Sequence, residues 1–308
     1  MSKNQSQSML KVDKPIIFSC IIPASAKDLG SQNLKDLITS IKSQDFPQDQ
    51  IEILVITEGD SEQAKGIGIK QSTGEICAMF CADNMIMEKD LFKKVNFFFS
   101  VDKEANGYYP WKYTYVKHDN SLNRYFSLIG GNDPICYYLG KNDRHPHVDS
   151  LRITSDYQPS YGCNGFFYRA SAIKATNLNN YYPMDNAMEV GPIESLSRAS
   201  IWHRTSDNLL TFLKKRYRYA KDLYCDRRDR RWRMLDTRED YLRLAWFIGV
   251  TVLVIPSVCI SIRGFLKIRD WAWAWHWPAC FGFLVTYTIL VIRNLFKYGR
   301  FFQCRQPV

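Results

Sequence analysis

Short apolar runs alternate with polar, turn-rich stretches over the first hundred residues, and the run lengths predict the first elements. Ile16–Pro23 (IIFSCIIP) is an eight-residue, β-branched run closed by proline, which reads as a buried strand. In Asn33–Ser43 the apolar positions 34, 37, 38 and 41 follow helical spacing, with Asn33 as the expected N-cap. The stretch DFPQDQ (45–50) breaks that helix, and Ile51–Thr57 (IEILVIT) reads as a second buried strand. Strand, helix and strand in this order form a βαβ unit, so the two strands are expected to be parallel. Ile76–Cys81 (ICAMFC) predicts a third strand ending at Ala82-Asp83-Asn84. Ligands of such sheets gather beyond the carboxyl ends of the strands. Pro23, Glu58 and Asp83 all fall there.

Two longer apolar segments close the chain. Leu244–Ile262 runs 19 residues without a charge, and Trp271–Ile292 runs 22 residues with His276 as its one ionisable group. At about 1.5 Å per residue each matches a hydrocarbon layer about 30 Å thick, so a transmembrane hairpin is expected. Tryptophans at 271, 273, 275 and 277 suit an interfacial belt. Met1–Leu10 is polar, so no signal peptide is expected ahead of the first strand.

The charge distribution changes what the net charge means. The 308 residues carry a formal +10, which by itself suggests nucleic acid. Residues 1–213, however, hold 22 basic against 24 acidic side chains, whereas 214–243 hold 12 against 6. The basic excess flanks the apolar segments, which points to a membrane and no nucleic-acid partner, with the large N-terminal part on the cytoplasmic side. Nine cysteines without a CxxC pair indicate neither a zinc site nor a disulfide framework.

The ordered stretches IIP, SIKSQDFP, IEILVITEGDS, KGIGIKQSTGEICAMFCADN, YGCNGFFYRAS (161–171), Met184-Asp185 and WHRTSDNLLTFLKKRYRYA (202–220) resemble family 2 glycosyltransferases of the GT-A fold. The resemblance covers roughly residues 16–220 with a gap near 100–155. It implies an α/β catalytic domain with a Rossmann-like, mostly parallel sheet over 15–222. A flexible N-terminus (1–14) would precede it. A basic juxtamembrane segment (223–243), the hairpin (244–292) and a basic tail (293–308) would follow.

The resemblance also implies roles. Pro23, Glu58, Lys65, Asp83 and Asn164 stand where the family binds the nucleotide-sugar donor, although the family's acidic pair is reduced here to Thr57-Glu58. The family's DXD motif reads Cys81-Ala82-Asp83, leaving Asp83, with His203 of WHRT, to hold Mn²⁺ or Mg²⁺, a hard-oxygen and imidazole donor set. Met184-Asp185 aligns with the family's proton acceptor, so Asp185 is the expected catalytic base, with Glu189 one turn on as fallback. Lys215-Arg216-Tyr-Arg218-Tyr219 resembles the QxxRW signature, which makes Arg216 and Arg218 candidates for acceptor or diphosphate contact. A second such match, Arg228 to Trp232, reads better as a headgroup-binding stretch. The expected activity is inverting sugar transfer to a lipid-linked or membrane-proximal acceptor. Two alternatives stand: polysaccharide or glycolipid synthesis within an oligomer or a complex of membrane proteins, and a non-catalytic membrane scaffold of the same fold.

Overall fold

The computed structural model describes residues 15–144, 152–153, 164–221 and 230–298. Among them a mixed sheet runs in the order β2-β1-β3-β7-β5-β8-β4, with β6 beside β8. The strands are β1 (Phe18–Pro23), β2 (Ile51–Ile56), β3 (Ile76–Met79), β4 (Asn84–Met85), β5 (Gly107–Tyr113), β6 (Arg152–Ile153), β7 (Phe166–Arg169) and β8 (Ile193–His203). The expected parallel βαβ start is present, with Phe18 opposite Ile51 and opposite Ile76. The sheet as a whole is not mostly parallel. β7 joins β3 and β5 antiparallel, β4 and β6 join β8 antiparallel, and β5 with β8 is the remaining parallel pair.

Residues alternate between the two faces of β1, and each face has its own core. Phe18, Cys20 and Ile22 meet Leu34, Leu37 and Ile41 of α1 (Gln32–Lys42) and Phe92 and Val95 of α3 (Leu91–Val101). Burying each such side chain contributes about 1.5–3 kcal/mol. Ile21 faces the other way, toward Ile69 of α2 (Ser61–Gln71) and toward Ile173 and Ala187 of α6 (Ala170–Lys174) and α7 (Pro183–Val190). The cap of α1 is Ser31, whose hydroxyl accepts from Leu34 N at 3.2 Å, so the helix starts before the expected Asn33.

A third cluster joins the remaining helices. Leu122 and Phe126 of α4 (Ser121–Ile129), Leu139 of α5 (Pro134–Leu139) and Phe212 of α8 (Leu209–Lys221) pack with Phe247 of α9 (Arg238–Val252) and Phe283 and Leu290 of α11 (His276–Tyr298). α10 (Ile255–Lys267) lies between α9 and α11 in the chain. Residues 271–297 are long and apolar enough to cross a membrane. The first expected span is broken: α9 and α10 meet at 92°. Pro256 explains the break, because its ring excludes the carbonyl four residues back, at Val252, where α9 ends. The chain turns through Val254, a β-branched residue at φ 61°.

Gly68 sets how closely α2 lies on the sheet. A Cβ there would stand 2.4 Å from Ile21 Cγ2. Gly68→Val is expected to cost about 1–3 kcal/mol by overpacking, read as a lowered unfolding temperature. A variant as stable as the parent would contradict this packing.

Candidate functional site

A cavity of about 430 Å³ opens at the carboxyl ends of β1 and β3. Pro23 and Asp83 form its floor. Lys65 of α2, Asn164 ahead of β7, His203 at the end of β8 and Lys215 and Arg216 of α8 form its walls. Six candidates scattered from position 23 to position 216 thus meet in one place.

Asp83 is positioned by its neighbour. Asn84 Oδ1 accepts from Cys81 N at 2.8 Å, Asn84 N returns a bond to Cys81 O at 2.9 Å, and Arg204 N donates to Asp83 O at 2.9 Å. The antiparallel pairing of β4 with β8 sets Asn84 opposite His203, which brings the imidazole beside the carboxylate. His203 Nε2 lies 3.4 Å from Asp83 Oδ1, and Lys215 Nζ lies 3.5 Å from Oδ2. Burial pushes the Asp83 carboxyl up, but the charges of His203 and Lys215 outweigh it and hold the group at about 2. Asp83 therefore stays ionised across the physiological range. Its Oδ1 is buried and accepts no hydrogen bond.

Asp83 Oδ1 and the imidazole beside it fit a divalent cation, since carboxylate and imidazole donors suit Mn²⁺. Among the described residues no group of three or more His, Cys, Asp or Glu side chains is arranged to hold a metal, so Asp83 and His203 would form a partial set.

Asn164 belongs to a buried polar chain. Its Oδ1 accepts from Asn84 Nδ2 at 3.1 Å, and its Nδ2 donates to the Tyr113 hydroxyl at 3.0 Å. Tyr113 in turn donates to Asp143 Oδ2. Arg144, fully buried, lies about 5 Å from the ring centres of Tyr109, Tyr113 and Phe166 and donates to the Asn164 carbonyl. Burial and the Asp143 charge push the Tyr113 phenol well up, so it remains a donor. A fixed, protonated network of this kind holds Asn164 in one orientation.

The other candidates are placed as follows. Lys65 is buried and pairs with Glu62 at 3.1 Å, so it is not a solvated lysine. Glu58 is exposed at the end of β2 and does not line the cavity, while Asp60 caps α2 through Glu62 N and Gln63 N. Asp185 is buried in α7, and its two oxygens accept from Arg231 N and Trp232 N, each at 2.8 Å. Met184 beside it lines the cavity, whereas Asp185 does not. Glu189 pairs with Arg231. Arg216 lines the cavity and binds Asp133 Oδ2 and the Tyr287 hydroxyl, and Arg218 is exposed outside the lining. His145, His147, Tyr161 to Cys163 and Arg228 lie outside the described residues.

Three lining carboxylates, Asp28, Glu62 and Asp143, were not singled out by the sequence. Glu62 sits in the run that carries Lys65, one helical turn away. Asp143 falls in the stretch that matches no motif.

No family model matches the chain, and no curated protein matches it. Among solved structures it is similar to the mannosyltransferase PcManGT from Pyrobaculum calidifontis in complex with GDP-Man and Mn²⁺. The identity is 12% and the TM-score 0.50, over 92% of this chain and 90% of that one. It also matches S. aureus TarS 1-349 in complex with UDP-GlcNAc at 14% identity and a TM-score of 0.41, over 91% of this chain and 83% of that one. The first likeness shows the fold: a GT-A-like glycosyltransferase fold.

Asn84→Ala removes the acceptor for Cys81 N and the donor to Asn164, two buried bonds. Leaving such partners unmet costs about 1–3 kcal/mol each. The variant is expected to unfold at lower temperature in a thermal denaturation scan; a variant as stable as the parent would contradict this role of Asn84.

Proposed function

We propose that this chain is a membrane-associated, metal-dependent, inverting glycosyltransferase that moves a sugar from a nucleoside-diphosphate sugar to a lipid-linked acceptor. The observation that carries the reading is the Asp83 carboxylate: ionised, with the His203 imidazole 3.4 Å from its Oδ1, in a cavity at the carboxyl ends of the strands that Lys65, Lys215 and Arg216 also line. The donor of PcManGT, GDP-Man with Mn²⁺, supports testing that pair first.

In the proposed reaction the acceptor oxygen attacks the anomeric carbon and forms the new C–O bond. The bond from that carbon to the diphosphate oxygen breaks, and the nucleoside diphosphate leaves with the electron pair. A divalent ion held by Asp83 and His203 would offset the charge of that leaving group. Lys65, Lys215 and Arg216 contribute fixed positive charge to the same cavity wall. Asn164, locked by Asn84 and Tyr113, supplies a pre-oriented amide for donor-sugar hydroxyls. Lys65 would reach the nucleotide from α2, and Glu58 would meet the base at the rim.

The acceptor proton needs a carboxylate. We assign it to Asp185, released from the amides of 231 and 232 when acceptor binds. A second assignment, Asp143, is favoured by one observation: it lines the cavity and accepts from the Tyr113 hydroxyl that holds Asn164. An acceptor anchored in a bilayer suits an enzyme that carries the apolar helices 238–298 beside its site.

Purified protein scanned with GDP, UDP, CDP and dTDP, each with Mn²⁺, Mg²⁺ or EDTA, tests the donor site. Ligand at 100 times its dissociation constant should stabilise by about 2.7 kcal/mol. One nucleotide is expected to act in a metal-dependent way and to lose its effect in Asp83→Ala. No shift with any of them would favour the scaffold reading. Asp185→Asn is expected to keep nucleotide binding and lower transfer at least a hundredfold. If Asp143→Asn does so instead, the proton acceptor is Asp143.

A further inference from the structure

The apolar helices carry more information than their length. Their connector, expected on the far side of a bilayer, rests on the catalytic domain. Asp270 accepts from Arg124 Nε at 2.8 Å and Nη2 at 3.1 Å and from the Tyr115 hydroxyl. Trp275 Nε1 donates to Ser121 Oγ at 2.8 Å. The His276 ring lies between the Tyr125 hydroxyl, 3.0 Å from Nδ1, and the Tyr138 hydroxyl, 2.9 Å from Nε2. The start of α9 is tied to the same domain, since Lys141 Nζ binds Asp240 Oδ2 at 2.8 Å. The segment 240–270 thus leaves the catalytic domain and returns to it. A pair of spans about 30 Å long would separate these anchors by the whole bilayer.

α11 does not leave the domain either. Its N-terminal end holds Tyr125 and Tyr138 through His276, and near its other end Arg293 Nη1 donates to the Tyr217 hydroxyl of α8 at 2.9 Å. Between them Phe283 packs on Phe212, and Tyr287 shares Asp133 with Arg216. A lipid-crossing α11 would carry α8 into the hydrocarbon, and with it Lys214, Lys215, Arg216, Arg218 and Lys221. Each charge at that depth is strongly opposed.

From these contacts we propose that α9–α11 dock on one face of a bilayer, with the α9–α10 elbow entering the near leaflet and no helix crossing. The inference rests on the membrane-associated reading above and specifies its geometry. The elbow presents four consecutive apolar residues, Val252, Leu253, Val254 and Ile255, exposed by 62, 65, 39 and 74%. α11 turns a second apolar stripe outward, Phe281, Val285, Ile289, Ile292 and Phe296, opposite its buried Phe283, Tyr287 and Leu290. Trp246 and Trp271, 63% and 77% exposed, supply interfacial rings. The cations Arg263, Lys267, Arg293 and Lys297 are exposed on α10 and α11, and Arg269 on the connector, where anionic headgroups would meet them. Apolar apex, aromatic flank and basic rim together match a lipid surface in chemistry.

The test uses the full chain in inside-out membrane vesicles from an expressing host. Cysteines are placed by Asp236→Cys and Arg269→Cys, and an impermeant maleimide is read peptide by peptide by mass spectrometry. One-sided docking predicts equal labelling of 236 and 269 before and after detergent. Labelling of 269 only after detergent overturns the inference and leaves membrane association standing. A chain recovered in the soluble fraction overturns both. Leu253→Glu with Ile255→Glu is expected to reduce binding to vesicles containing anionic lipid at least tenfold with an unchanged unfolding temperature; undiminished binding would contradict insertion of the elbow.

Discussion

A partly buried carboxylate must be answered by positive charge or a cation, and the need to answer Asp83 organises the site. The two groups that do so, His203 and Lys215, are 120 and 132 residues away in sequence. Reaching them requires β8 to pair with β4 and α8 to lie across the mouth of the cavity. The mixed sheet is the consequence: β7 and β5 must intervene for β8 to return at the right height. Phe212 and Arg216 of α8 line the cavity and also reach α11, and Tyr217 meets Arg293 of α11. α11 is thereby tied to the same element that lines the cavity.

Arg216 makes this tie chemical as well as steric. It lines the cavity, yet binds Asp133 at the N-terminus of α5 and Tyr287 of α11. A ligand anion drawing Arg216 inward would compete with that pair. Under the proposed function, donor binding and the seating of α11 are therefore coupled through one guanidinium.

The strands β1, β2 and β3 and helix α1 were legible because burial on both faces leaves near-continuous apolar runs and helical spacing leaves a stripe. β8 was not, since IESLSRASIWH is half polar and owes its place to pairing with three neighbours. In the site, Pro23 and Asp83 were legible from the strand ends, whereas Glu58, read the same way, lies outside the cavity lining. The binding of Asp185 by the amides of 231 and 232 was not, because no local pattern encodes a contact 46 residues ahead. The apolar segments illustrate the same limit. Periodicity cannot separate a helix surrounded by lipid from one with a single lipid-facing side, and the distinction rests on Asp270 meeting Arg124, 146 residues apart.

Under the proposed function the cavity beside Asp83 is a metal-dependent nucleotide-sugar site. A crystal soaked with Mn²⁺ and the nucleoside diphosphate that stabilises the protein most, examined by anomalous scattering, tests it directly. A manganese peak bonded to Asp83 Oδ1 is expected, with the diphosphate between it and the Lys65 and Arg216 side chains. A nucleotide bound elsewhere, or one bound here with no manganese at Asp83, would contradict it.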